Sequence, residues 1–240
     1  VASAEITAEN GGVSKIEVVL DAESQSDLAY AILGELRTAV KAVDGADALV
    51  GGLDAQALDQ KNAYTNDQLI VIPLILILVF LVLVLLLRAL VAPILLLLTV
   101  VASFFASMGA GWLLFQTVFG FPALDLSVFL YSFLFLVALG VDYNIFLVTR
   151  AKEEAEKLGT KEGMIKALSA TGGVITSAGI LLAAVFAVLG VLPLVALAQI
   201  GVIVCIGVLL DTLLVRTVIV PALAFMTGKK FWLPNKKYQS

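Results

Sequence analysis

A mainly α-helical membrane fold, preceded by a small α/β segment, is the fold class this sequence predicts, and three observations predict it. Of the 240 residues, 61% are apolar and only 14% charged, with a mean hydropathy of +1.06. That is more hydrophobe than a water-soluble domain needs. The apolar residues gather into five stretches, about 69–87, 93–115, 126–149, 172–191 and 194–225, each near the roughly 20 residues that cross a bilayer. Charge divides along the same line. Residues 1–67 hold 12 of the 19 acids against 4 bases, whereas 68–240 hold 11 bases against 7 acids.

The N-terminal elements come first. "VSKIEVVL", residues 13–20, has the β-branched content of a short strand. Over 26–43 the apolar positions Leu28, Ile32, Leu36, Val40 and Val43 recur at helical spacing, with Ser26 placed to cap the helix. "DGADALVGG" then predicts a turn and a second short strand, giving strand, helix, strand. The polar run "LDAQALDQKNAYTNDQ" reads as a helix that feeds into the first span. Three segments result: 1–67 outside the membrane, a membrane domain over 68–228, and a basic tail over 229–240.

Within the membrane domain, Pro73, Pro93, Pro193 and Pro221 are expected near span ends, where a missing N–H costs least. Orientation follows from the loops. Arg88 follows the first span, and Arg150, Lys152, Lys157, Lys161 and Lys166 lie between the third and fourth. Lys229, Lys230, Lys236 and Lys237 follow the fifth. The intervening loops "VFGFPALD" and "GVLPL" carry neither Lys nor Arg. Positive charge stays on the cytoplasmic side, so the C-terminus is expected in the cytoplasm and residues 1–67 outside it. "RAKEEAEKLGTKEGMIKAL" is expected to form an interfacial cytoplasmic helix.

Three ionisable residues fall inside the spans: Asp142, Asp211 and Arg216. Nothing charged lies between Asp125 and Asp142, or between Asp142 and Arg150. Eight residues of helix place Asp142 about 12 Å inside the cytoplasmic end, too deep for a short side chain to reach water. A carboxylate there costs roughly 3 kcal/mol on the insertion scale, and desolvation favours its protonated form. Tyr143 and Asn144 beside it supply a hydroxyl and an amide. A carboxyl protonated from one side and deprotonated towards the other carries protons, which makes Asp142 the first candidate. Asp211 is a second, as relay group or structural partner. Arg216 lies five residues on, about 140° around an α-helix, so the two are not expected to share a face, and Arg216 is expected to snorkel to the cytoplasmic interface. Asp125 is expected to cap the third span.

Small residues in "TGGVITSAG" (Gly172, Gly173, Ser177, Gly179) suit close helix approach, with Thr176 and Ser177 able to hydrogen-bond across it. Either they form a packed interface or their hydroxyls assist proton exchange. The chain has no histidine, which removes imidazole triads, metal sites and shuttles. Its single cysteine, Cys205, reads as packing. No phosphate-binding glycine loop appears.

The stretches "FLVALGVDYNIFLVTRAKEE", "ATGGVITSAGILLAAVFAVLGVLPL" and "GVLLDTLLVRTVIVPAL" resemble, in order and spacing, the C-terminal half of an MmpL-type transporter of the resistance-nodulation-division superfamily. The resemblance covers about 13–233. It implies that 1–67 are the tail of an extracytoplasmic porter domain and that the five spans are the last five of twelve. The start at Val1 fits that expectation of a C-terminal portion. The family resemblance further implies a bacterial plasma-membrane exporter of lipids or other hydrophobic compounds, driven by protons and needing no cofactor, and not an enzyme. It implies a relay through Asp142 and Tyr143; the residues themselves offer Asn144, Asp211, Thr176 and Ser177 as further relay groups or as structural support. Its partners would be the N-terminal half carrying a matching Asp-Tyr pair, membrane lipids, hydrophobic cargo and, since monomers and trimers both occur, a homo-oligomer. No nucleic acid is expected. Two alternatives keep the fold: a SecD/SecF-like protein-export component, in which Ala rather than Tyr would follow the Asp, and a non-transporting lipid sensor.

Overall fold

A computed structural model describes residues 1–235. The chain divides into two compact units, Val1–Asp67 and Gln68–Ser240, each taken by itself below.

The first unit opens with an antiparallel hairpin, β1 (Ser3–Asn10) and β2 (Val13–Val19), in register Ser3 to Val19 and Asn10 to Val13, with a bulge at Thr7. The tight turn between them uses Gly11 and Gly12, both at positive φ, where only glycine avoids a Cβ clash. Helix α1 (Asp27–Lys41) follows. Ser26 caps it, its Oγ accepting the Ala29 N–H at 3.1 Å. The predicted order of strand, helix, strand is corrected to strand, strand, helix. The run after α1 stays irregular, with Leu49 fully exposed, because β2 finds its partner upstream in β1 instead. Only Ala29, Leu33 and Ala55 are buried here. The Arg37 guanidinium bridges to Asp59, with Nη2 2.8 Å from Oδ2, and holds that carboxyl below its usual range.

The second unit is a five-helix bundle built by α2 (Leu53–Leu87, entering from the first unit), α3 (Val91–Leu114), α4 (Val128–Leu158), α5 (Thr160–Leu189) and a last long helix. That last helix begins as α6 (Val195–Leu210), widens to π geometry over Asp211–Ile219, resumes as α7 (Val220–Thr227) and ends in a 3-10 turn (Gly228–Trp232). All five are long and apolar enough to cross a membrane. The chain is a multi-pass membrane protein of mainly α class, with the small two-stranded sheet in front.

Packing centres on the α4–α5 hairpin, the most extensive helix pair, with α6 laid against both. The hairpin closes at Gly159, whose φ of +81° ends α4 and starts α5 without an intervening helix. The expected interfacial helix therefore does not form as a separate element: its residues are the last turns of α4 and the first of α5. Glu154 sits at that corner, accepting from Arg150 at 2.6 Å and pairing with Lys166 at 2.8 Å. Two of the prolines also depart from expectation. Pro73 lies inside α2 and Pro221 inside the last helix, because both helices run on past the apolar stretches whose ends were expected there.

Both ends of the bundle are tied. At one, the buried Gln199 side chain accepts the Asp125 N–H at 2.9 Å and donates to Ala123 O at 2.8 Å. At the other, Trp232 and Phe231 are wholly buried, and Trp232 Nε1 donates to Thr160 Oγ1 at 3.2 Å. The Leu90 N–H donates to Leu233 O at 2.7 Å. Asp125 turns the chain into α4 by accepting the Ser127 N–H at 2.9 Å. Of the basic tail, Lys236 and Lys237 lie outside the described residues.

Candidate functional site

Helix α4 carries Asp142, Tyr143 and Asn144 on successive 100° steps, so the three point in different directions. Asn144 is buried against the neighbouring helices, Tyr143 is half-buried, and Asp142 is exposed on the outer surface of the bundle. Among the described residues no hydrogen bond or ion pair reaches the Asp142 carboxylate. Tyr143 points inward far enough that the Arg216 guanidinium lies over its ring, 4.5 Å from the centroid. A cation on an aromatic face is favourable by about 2 kcal/mol or more once desolvated.

Arg216 is 1% exposed. The expectation that it snorkels to the interface, on a different face from Asp211, is therefore corrected. The cause is local. The five-residue spacing was read on an α-helix, whereas Asp211–Ile219 is π-helical, with the Val220 N–H reaching back to Val215 O. At about 4.4 residues per turn five residues complete more than one turn, and both side chains face inward. Asp211 is 5% exposed, and Arg216 and Ser103 of α3 are the polar groups that act on it.

Space around this pair is made by glycines. A Cβ at Gly140 of α4 would lie 2.8 Å from Asp211 Oδ2, and one at Gly179 of α5 would collide with the Thr212 side chain. The close approach predicted for the fourth span therefore occurs at Gly179. Gly173 and Ser177 lie on the exposed side of α5, and a Cβ at Gly173 would meet nothing within 4 Å. Thr176 is half-buried, and the Ser177 hydroxyl donates to Val174 O of its own helix at 2.9 Å.

The structure thus brings Tyr143, Asp211 and Arg216 together with Ser103, and leaves Asp142 and Ser177 on the outside. Ser103, Gly140 and Gln199 escaped the sequence reading. A serine and a glycine in apolar helices carry no signal of their own, and Arg216 would have been found only by abandoning α geometry for the residues before Pro221. Among the described residues no group of His, Cys, Asp or Glu side chains is arranged to hold a metal. The cluster can hold and rearrange charge: one buried cation, one buried acid, and an aromatic ring under the cation whose residue adjoins a second acid in sequence.

The model of the MMPL family matches residues 2–240. A membrane protein of Streptomyces coelicolor is 53% identical over 225 residues, 94% of this chain and 32% of its own length. The apo-petrobactin exporter of Bacillus anthracis is 42% identical over 187 residues, covering 78% of this chain and 25% of its own. The sulfolipid-1 exporter MmpL8 of Mycobacterium tuberculosis is 39% identical over 198 residues, 79% and 18% respectively. The chain spans about a third or less of the length of these relatives.

Proposed function

Because the chain belongs to the MMPL family, we propose that it is the C-terminal membrane half of a proton-driven exporter of lipids or other hydrophobic compounds, with Asp142 and Tyr143 as its relay. The single observation that carries this reading is the exposure of Asp142 at mid-span. Intramembrane carboxylates face a protein interior or a water-filled path and pair there. Within these five helices Asp142 does neither, so its partner belongs to another part of the transporter, the N-terminal half. Relatives named as exporters of apo-petrobactin and sulfolipid-1 support export as the activity. They also support a non-enzymatic role; the proton gradient as driving force, with no bound cofactor, is part of the proposal itself. The distribution of basic loops supports an orientation with the N-terminal unit outside and the C-terminus in the cytoplasm, and the bacterial plasma membrane is the site this reading assigns.

The chemistry runs as follows. A proton from outside neutralises Asp142 and abolishes its attraction to donors on the facing half. Tyr143, the next residue along the helix, carries the Arg216 cation on its ring, so a movement of α4 that follows loss of the negative charge is felt by the guanidinium as well. The helices then shift, and release of the proton to the cytoplasm restores the first state. One charge crossing the membrane potential supplies about 2.3 kcal/mol per 100 mV. Asp142→Asn in the full-length protein is expected to insert normally and to abolish pH-gradient-dependent movement of cargo in liposomes. Wild-type export by that variant would reject the relay, and lipid binding without transport by the wild type would point to a sensor.

A further inference from the structure

We propose that the π stretch Asp211–Ile219 is a two-state element that converts to α-helix and back, making and breaking the juxtaposition of Asp211 and Arg216. The proposal rests on the exporter reading above and adds the moving part to it. π geometry is rare and usually confined to one turn, where it marks functional sites; here it runs for nine residues. The geometric consequence is large. In the π form Asp211 and Arg216 are about 50° apart around the axis, and both are buried. In an α form they would be about 140° apart, and one of them would leave the interior.

Four features make such a conversion feasible in this place. First, there is room. An open groove of about 210 Å³ runs between α3 and the stretch, lined by Leu214, Val215 and Ile219 on one side and Ala102, Ser103 and Ala106 on the other, with Ala102, Ala106 and Leu214 exposed along it. Second, the π packing leaves buried polar groups without hydrogen bonds. Among the described residues Asp211 Oδ1, Thr212 Oγ1 and all three Arg216 nitrogens lack a hydrogen-bond partner. Buried polar groups left unpaired are costly, so the observed packing does not saturate its own polar groups. Third, Pro221 has no N–H with which to close an α turn on Thr217, so the end of the stretch is not held in α-helical register. Fourth, the flanks are pinned, by Gln199 at one end and by Trp232 at the other. A rotation is thereby confined to the segment between them, as expected for a packed element with two discrete arrangements. Withdrawal of Arg216 also takes the cation off the Tyr143 ring, next to Asp142, which links the conversion to the relay.

Pulsed electron-paramagnetic-resonance distances in the full-length protein in nanodiscs test this. Spin labels go on cysteines introduced at Leu113 and Val218, both exposed in this chain, in a background with Cys205→Ala and no other cysteine. Two distance populations are expected, with a ratio that changes in Asp142→Asn. Ala106→Leu fills the groove against the stretch without replacing a charged group. It is expected to collapse the two populations into one and to cut export at least tenfold; Ala102→Leu, one turn away, should act alike. A single distance in both the wild type and Asp142→Asn overturns the proposal, as does wild-type export by Ala106→Leu. If the leucine variants fail to insert, the comparison of wild type with Asp142→Asn decides alone. Normal export by Asp142→Asn would sink the relay reading, whereas an inactive Asp142→Asn with one unchanging distance would sink only the conversion.

Discussion

Asp142 and Asp211 are both single carboxylates in membrane-spanning helices, and the bundle treats them in opposite ways. Asp211 is 5% exposed, enclosed by glycines on two helices and next to a buried arginine. Asp142 looks outward from the same bundle with no partner among the described residues. The inner acid is enclosed by this part of the molecule, so substitutions there should show in stability. On the relay proposed above, the outer acid depends on something beyond these helices, and substitutions there should show in function. Tyr143 is the one side chain that joins the two regions, through its ring contact with Arg216.

The sharpest break of that comparison is the outer acid itself. Asp142→Asn should reduce export to background while the unfolding midpoint in detergent stays within error, because no contact in this half is lost. An equally large drop in stability would mean that Asp142 is structural. Next in size is Arg216→Met. Leaving Asp211 buried and uncompensated should destabilise the membrane unit by about 3–5 kcal/mol. The double variant with Asp211→Asn should recover part of it; identical losses in the single and double variants would show that the two side chains do not interact. A smaller contrast separates the two faces of α5. Gly179→Ala must push against Thr212 and should cost about 1–3 kcal/mol. Gly173→Ala meets nothing and should be neutral or stabilising by up to about 1 kcal/mol. The least effect is expected of Ser177→Ala, within about 0.5 kcal/mol, since that hydroxyl bonds only its own helix. A loss of export in that variant would restore Ser177 to the relay.

Much of this was open to inspection before any coordinates. Twenty-residue apolar runs have one stable outcome in lipid, because every backbone group must be satisfied within the helix, and five such runs became five helices. The Ser26 cap and the polar entry into the first span are local events and were equally readable. The order of the strands was not, since a strand's partner can lie on either side of it. Nor was the choice among Gly173, Ser177 and Gly179, three small residues spaced within two turns, of which only the packing of Thr212 selects one.

Asp142 and Tyr143 stand out from the chain alone because a carboxylate among 23 uncharged neighbours between Asp125 and Arg150 has an energetic cost that no arrangement can hide. Span number, the division of charge and membership of an exporter-containing family follow from the same one-dimensional pattern. What the tertiary structure alone decided is which way each ionisable group turns. Burial of Arg216, its stacking on Tyr143 and its approach to Asp211 all depend on a helix that departs from 3.6 residues per turn. That departure goes with Pro221 in the same helix and with the close approach of Gly140 on α4 and Gly179 on α5, which lie far along the chain from the residues it rotates.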